Sequence, residues 1–226
     1  MEAAIVPETA AIFVEAVQGE GGVNVMDTTY LKALRKLCDD NEILMMMDEV
    51  QTGMGRTGTL FAYEWEGVTP DIMGLAKALG NGMPIGAILA TESAAVGMTP
   101  GTHGSTYGGN PLAVAAANAV LDVMLEDGFM DHVKGISGHM MQRISGVIDA
   151  HPEIIESVRG QGLLIGLKCK VTNGDLVDAL RDEGLLTVGA ADNIVRLIPP
   201  LIIDESQIDE AMAALDRACE KLEKAG

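Results

Sequence analysis

Residues 43–90 decide the fold and read ILMMMDEVQTGMGRTGTLFAYEWEGVTPDIMGLAKALGNGMPIGAILA. Three short apolar runs lie in this stretch, at residues 43–47, 72–75 and 85–90, and turn-forming residues separate them. Apolar runs of this length predict buried strands. A fourth run, at residues 10–14, precedes these three. Between it and the run at 43–47, residues 28–41 show apolar side chains at helical spacing. This alternation predicts an α/β fold with a mainly parallel sheet and flanking helices.

The pattern changes towards the second half of the chain. Asn110-Pro111 opens an alanine-rich segment at 112–125, where proline in the first turn is typical of a helix start. From about residue 126 the pattern predicts a smaller α+β domain, with helices at 129–150, 174–183 and 205–224 and strands at 162–168, 185–188 and 194–197. We therefore predict two domains, 1–125 and 126–226.

Charge and hydropathy limit the partners. Lys and Arg total 15 against 33 Asp and Glu, which gives a net charge of −18. Such a chain is not expected to bind nucleic acid or an anionic membrane surface. No apolar run approaches the roughly 18 residues of a membrane span, and no basic segment precedes an apolar stretch at the N-terminus. The expected location is cytoplasmic.

Cysteine and histidine spacing gives no metal or disulfide signature. Cys38, Cys169 and Cys219 are far apart, and no C-x-x-C or H-E-x-x-H pattern occurs. We expect buried or incidental thiols, no metal site, and histidines that are ordinary surface or partly buried residues.

Asp48 and Lys77 each follow an apolar run, so both are expected at the carboxyl ends of strands, where α/β sheets bind ligands. Pyridoxal phosphate (PLP) needs a lysine that holds it as a Schiff base and an acid that keeps its ring nitrogen protonated. The flanking apolar residues further suggest a desolvated Lys77 amine with a lowered pKa. Taken alone, an aspartate after a strand is more often a helix cap or a turn former, and a lone lysine at a strand end is usually a solvated charge.

Five segments carry a family resemblance: VEAVQGEGG (14–22), MMMDEVQTGMGRTG (45–58), PDIMGLAKALGNGMPIGA (70–87), HGSTYGGNPLA (103–113) and VRLIPPLII (195–203). In this order they resemble the successive signatures of class III, ornithine-type, PLP-dependent aminotransferases, closest to the acetylornithine branch. The resemblance implies a fold-type I transferase. Residues 1–125 would be the C-terminal portion of its large PLP-binding domain, and residues 126–226 its small C-terminal α+β domain.

The resemblance also implies roles around the cofactor ring. Asp48 would pair with the pyridinium nitrogen, Val50 would pack on one ring face, and Gln51 would hydrogen-bond near the ring hydroxyl. Lys77 would bind the cofactor covalently and move the proton as general acid and base.

Two further pairs of residues follow from the same resemblance. Ser105 and Thr106 would reach the cofactor phosphate of a neighbouring subunit, which implies a homodimer. A turn before the helix at Pro111 is the alternative for their segment. Arg196 would bind the substrate α-carboxylate, and Glu20 would pair with Arg196 when an ω-amine substrate is bound. A surface ion pair and a plain turn residue are the alternatives for Arg196 and Glu20.

The activity that the resemblance implies is transamination between N-acetylornithine and 2-oxoglutarate in arginine biosynthesis. Succinyl-diaminopimelate, succinylornithine and ornithine are alternative donors. The resemblance covers only the C-terminal part of the family's chain, without the helix N-terminus that binds the cofactor phosphate. A separately encoded N-terminal half, a truncated or misassembled gene, and a shortened protein with another task are the open explanations. A non-catalytic fragment that binds a partner is the competing hypothesis.

Overall fold

The structure is a computed structural model that describes residues 1–65 and 67–225. The chain forms two compact units. The first contains residues 1–16, 26–55 and 59–129, and the second contains residues 17–25, 56–58 and 130–226. Two short segments that precede residue 125 thus join the second unit. Across the described ranges, no helix is long and apolar enough to cross a membrane.

In the described ranges, ten strands and five α-helices are numbered in chain order. The strands are β1 (Ala11–Val14), β2 (Val17–Gln18), β3 (Asn24–Val25), β4 (Leu44–Asp48), β5 (Ile72–Leu75), β6 (Ala87–Ala90), β7 (Ile155–Gln161), β8 (Leu164–Cys169), β9 (Val188–Ala190) and β10 (Ile194–Leu197). The helices are α1 (Thr28–Asp40), α2 (Pro111–Met124), α3 (Phe129–Ala150), α4 (Asn173–Asp182) and α5 (Glu205–Ala225). Short 3₁₀ helices cover Glu2–Ala4, Ala62–Trp65, Lys77–Leu79 and Ala94–Gly97.

The first unit is built on a four-stranded sheet in the order β1-β4-β5-β6. β1 pairs with β4 and β4 with β5 in parallel, whereas β6 runs antiparallel to β5. The predicted mainly parallel sheet is therefore confirmed, with an antiparallel strand at one edge.

The two faces of this sheet differ in burial. Met45 and Met47 of β4 are fully buried and belong to one core with Leu31 and Leu34 of α1. The Asp27 carboxylate starts α1 by accepting a hydrogen bond from the Thr29 amide at 2.8 Å, which satisfies one of the unpaired donors of the first turn. The opposite face is open, since Phe13 and Ile88 are 61% and 70% exposed.

The second unit contains an antiparallel sheet in the order β7-β8-β10-β9. β8 and β10 are buried on both faces, as the neighbouring residues Leu164 and Ile165 of β8 and Ile194 and Val195 of β10 show. The small hairpin of β2 and β3 also belongs to this unit, and it brings the segment with Glu20 to β7, which β3 contacts.

Several predicted elements are confirmed within one or two residues. The bounds of α3, β5 and β10 are the predicted ones. β7 was not predicted. Its sequence, IESVRGQ, has charged and polar residues on its exposed side and a register shift between Ile155 and Ser157, so it lacks a continuous apolar run. β9 covers Val188–Ala190 rather than the predicted 185–188.

His151, just after α3, departs from the expectation of an ordinary surface or partly buried histidine. It is 6% exposed, and its Nδ1 and Nε2 lie 3.0 Å from Glu223 Oε1 and 2.9 Å from Asp216 Oδ1. Burial alone would lower the pKa of His151, but the hydrogen bonds to the Asp216 and Glu223 carboxylates outweigh it and raise the pKa. The His151 ring thus joins the end of α3 to two carboxylates of α5.

We expect the raised pKa of His151 to make stability pH-dependent. The protonated ring stabilises the fold fully below the unfolded pKa of about 6.5, and this stabilisation disappears as pH rises through the higher folded pKa. Urea unfolding of wild type and His151→Gln between about pH 5.5 and pH 9 measures it. His151→Gln should remove this part of the pH dependence. The same slope in both proteins would contradict the role of His151.

Candidate functional site

Asp48 and Lys77 lie at the carboxyl ends of neighbouring parallel strands. The register pairs Asp48 of β4 with Gly74 of β5, and Lys77 follows Gly74 by three residues. The Glu49 amide donates to the Gly74 carbonyl at 3.0 Å, so the pairing continues one residue past β4. The structure therefore places both predicted residues at one sheet edge, as expected for a ligand site in an α/β fold.

The Asp48 carboxylate is oriented by the turn that follows it. Its Oδ1 accepts a hydrogen bond from the Val50 amide at 2.9 Å. Within the described part of the chain Oδ2 has no hydrogen-bond partner, and a Cβ placed on Gly74 would meet no atom within 4 Å. An oriented carboxylate beside open space above a glycine fits a flat ring with a protonated nitrogen. The residues present thus fit PLP.

The backbone of Lys77 has a left-handed conformation with φ of 43°, which is uncommon for a residue other than glycine. Its carbonyl accepts from the amides of Gly80 and Asn81, both at 3.2 Å, and these bonds hold the turn. Such conformations are often found at functional sites. The expected desolvation of the amine is wrong: Leu75 and Leu79 are buried on either side, but Lys77 itself is exposed because it lies beyond the end of β5.

Glu49 supports the turn after Asp48, and sequence reasoning missed it. It is 1% exposed, and its carboxylate accepts hydrogen bonds from Thr52 Oγ1 and, at 3.1 Å, from the Tyr63 amide. Burial raises the pKa of Glu49, and these hydrogen bonds partly oppose that effect. One buried carboxylate therefore joins both ends of the segment between β4 and the short helix at Ala62–Trp65.

The other predicted cofactor residues are less closely connected. Val50 and Gln51 are half-buried in the turn after Asp48. Ser105 and Thr106 are exposed, and Ser105 Oγ accepts from the Gly108 amide at 2.9 Å. In the described ranges, no hydrogen bond or ion pair joins Ser105 or Thr106 to Asp48 or Lys77. Their segment leads into α2, which contacts the short helix at Lys77–Leu79.

Arg196 and Glu20 form an ion pair within the second unit. Arg196 Nη1 donates to Glu20 Oε1 at 2.8 Å, although 176 positions separate the two residues. The side chain of Arg196 on β10 is 5% exposed, whereas that of Glu20 is 71% exposed. A buried guanidinium with an exposed carboxylate partner can exchange that partner for the carboxylate of a ligand.

No group of three or more His, Cys, Asp or Glu among the residues that the structure describes is arranged to hold a metal ion.

Residues 1–219 match the sequence model of the family described as aminotransferase class-III. The chain belongs to the class-III aminotransferase family. Among its curated relatives, acetylornithine aminotransferase 1 of Bradyrhizobium diazoefficiens is 62% identical over 216 residues, which is 96% of this chain and 53% of that relative. The chain spans about half the length of the curated relatives it matches.

Solved structures of class-III relatives share the fold. An acetylornithine aminotransferase from Elizabethkingia anophelis superposes with a TM-score of 0.87 at 39% identity, over 93% of this chain and 56% of that one. An ornithine aminotransferase from Toxoplasma gondii, described with partial occupancy of PLP at its active site, has a TM-score of 0.89 at 35% identity, over 95% of this chain and 52% of that one. The predicted fold-type I class is confirmed.

Glu49 provides a test of the turn that carries Asp48. Because its pKa is raised in the fold, the free energy of unfolding should fall as pH rises from about 4.3 through the folded pKa. Glu49→Gln keeps an acceptor for the Tyr63 amide and should lose this pH dependence, whereas Glu49→Ala should lose about 1–3 kcal/mol through unpaired buried donors. Urea titrations between about pH 4 and pH 8 test both. An unchanged pH dependence in Glu49→Gln would rule this role out.

Proposed function

We propose that this chain supplies the lysine-bearing part of a PLP-dependent aminotransferase. The observation that carries the proposal is the placement of Asp48 and Lys77 at adjacent parallel strand ends beside the open space over Gly74. Membership of the class-III family supports it, as does the PLP described in the Toxoplasma gondii relative. In this proposal, the first unit belongs to the cofactor-binding domain and the second unit forms the small domain, so that residues 17–25 and 56–58 are added to the predicted small domain 126–226.

Lys77 and Asp48 have the central chemical roles. PLP, when bound, supplies an electron sink for the carbon that loses its proton. Lys77 Nζ would hold the cofactor covalently, and once the amino group of the substrate has taken its place, the freed amine would transfer the proton at the substrate carbon as base and acid. The Asp48 carboxylate, oriented by the Val50 amide, keeps the proton on the ring nitrogen. Val50 would pack on the ring, and Gln51 would hydrogen-bond near the ring hydroxyl.

Ser105 and Thr106 bind the cofactor phosphate of a neighbouring subunit in this proposal. Their exposure is compatible with a role outside their own subunit. The functional unit is then a homodimer, because no single subunit has a complete set of phosphate ligands. Sedimentation of the active protein as a monomer would contradict this role.

Arg196 receives the substrate carboxylate, and Glu20 pairs with Arg196 when an ω-amine substrate is bound, because the reacting end of that substrate carries no carboxylate. The 2.8 Å ion pair and the exposed position of Glu20 support this exchange. A buried arginine left without any anion is costly, so the release of Glu20 is coupled to the arrival of a carboxylate. The same residue can then serve an ω-amine donor and a dicarboxylic acceptor.

The proposed substrates are N-acetylornithine and 2-oxoglutarate, in arginine biosynthesis in the cytoplasm. The donor follows the names of the Bradyrhizobium diazoefficiens and Elizabethkingia anophelis relatives. The acceptor fits the ability of Arg196 to bind a carboxylate. Ornithine, succinylornithine and succinyl-diaminopimelate remain the competing donors.

A second candidate function is that of a subunit or fragment that requires an N-terminal partner. The open face of the first unit's sheet favours it, since Phe13 and Ile88 expose large apolar side chains there. Relatives with about twice the length would have additional chain to cover such a face. A complex with a supplied N-terminal half that stays colourless and inactive with PLP would favour a non-catalytic fragment.

Turnover with PLP tests the proposed function. The chain is assayed alone and together with the remaining half of the Bradyrhizobium diazoefficiens relative, with 2-oxoglutarate and either N-acetylornithine or ornithine. We expect a preference for N-acetylornithine, and a decrease in kcat of at least about 100-fold in Lys77→Ala because it removes the acid-base group. Lys36→Ala, at an exposed lysine on α1, is the control. A preference for ornithine would overturn the donor, and turnover unaffected by Lys77→Ala would overturn the role of Lys77.

A further inference from the structure

Two arginines and a glycine lie side by side on three neighbouring strands of the second unit, with the glycine between the arginines. Arg159 of β7 pairs in register with Gly166 of β8, and Gly166 pairs with Arg196 of β10. Cross-strand partners point to the same face of a sheet, so both guanidinium groups leave the sheet on one face. We call Arg159, Gly166 and Arg196 the arginine row. Its central residue has no side chain, which leaves a notch between the two arginines.

The segment with Glu20 lies in this notch. A Cβ at Gly166 would be 2.9 Å from Val23 Cβ, so only glycine leaves room for the segment. Val23 is fully buried and has φ of 56°, a left-handed conformation that a β-branched residue adopts only under strain. The surrounding contacts must therefore hold this segment in place.

Arg159 and the turn between β9 and β10 supply those contacts. Arg159 Nε donates to the Gly22 carbonyl at 2.8 Å, and its Nη2 pairs with Asp192 Oδ2 at 2.7 Å. In the same turn the Ala191 amide donates to the Glu20 carbonyl at 3.1 Å. A Cβ at Gly22 would lie 2.9 Å from both the Ala191 carbonyl and Arg159 Nη2, so the packing is close. Arg159 thus binds the backbone of this segment, and Arg196 binds the Glu20 side chain of the same segment.

We infer that Arg159, paired with Asp192, is a positioning residue for the exchange at Arg196. It fixes the backbone at Gly22, so that the exposed Glu20 side chain alone moves on and off Arg196. The backbone stays in place because the Ala191 and Arg159 hydrogen bonds do not involve the Glu20 carboxylate. This inference rests on the proposed role of Arg196 in binding a substrate carboxylate. It adds that Arg159 determines how strongly Glu20 competes with the substrate for Arg196.

Amide hydrogen exchange of the 226-residue chain tests the positioning directly. Arg159→Met should speed exchange of the Ala191, Gly22 and Val23 amides by about tenfold or more, because it removes a charge-assisted hydrogen bond to the segment. Arg159→Lys, which keeps the charge opposite Asp192, should give a smaller increase. The matched control is Arg143→Met, which removes the exposed ion pair of Arg143 with Asp209 elsewhere in the unit. Exchange in Arg159→Met equal to that in Arg143→Met would overturn the inference.

Glutarate binding, measured by calorimetry, tests whether Arg159 acts through Glu20. We expect Arg159→Met and Glu20→Ala each to bind glutarate more tightly than wild type, since Glu20 then competes less for Arg196. In the Glu20→Ala background, Arg159→Met should have no further effect. A persisting effect there would overturn the inference. If glutarate binding does not depend on Arg196, as judged with Arg196→Met, the proposed function loses its carboxylate site, and hydrogen exchange alone decides the positioning role.

Discussion

The parallel pairing of β4 with β5 is the constraint on which the candidate site depends. Asp48 shares a register position with Gly74, so its carboxylate lies on the open face of the sheet while Met47 points into the core. A slip of one residue would exchange these two side chains, because the side-chain period of a strand is two. Burial of Met45 and Met47 against α1 therefore fixes the direction of Asp48 as well as the stability of the unit.

The turns at the strand ends complete this arrangement with polar contacts that the core alone could not supply. Glu49 extends the pairing through its amide and joins the following segment through its buried carboxylate. Lys77 adopts a left-handed conformation that the following turn maintains. Buried polar groups need such partners, and here the partners also set the geometry of the residues proposed to bind PLP.

In the second unit, an ion pair rather than the ends of parallel strands arranges the predicted site residues. Arg196 is buried in the middle of its strand and needs an anion, and Glu20 supplies one that is largely exposed. The ion pair depends on a glycine that makes room for the Glu20 segment and on Arg159, which holds that segment from the other side. This pairing joins parts of the chain that are far apart in sequence, and a change at any of the three positions of the arginine row affects the other two.

Sequence patterns predicted the elements that have continuous apolar periodicity, such as α3, β5 and β10, and the positions of Asp48 and Lys77 at strand ends. They missed β7, whose exposed side is charged, and the transfer of residues 17–25 and 56–58 to the second unit. Arg159 was missed because its role depends on a register with Gly166 that only the folded sheet defines. In the sequence, only the run Arg159-Gly160-Gln161-Gly162 marks this arginine, and such a run by itself predicts no more than a turn.

Covalent trapping tests most directly whether Asp48 and Lys77 form a cofactor site. The chain is incubated with PLP, reduced with borohydride, digested, and its lysine-containing peptides are quantified by mass spectrometry. We predict modification concentrated on Lys77 and decreased there in Asp48→Asn, with little on Lys36 and Lys224, whose side chains are 74% and 75% exposed. Equal modification of Lys36, Lys224 and Lys77, unaffected by Asp48→Asn, would show that the strand ends do not bind the cofactor.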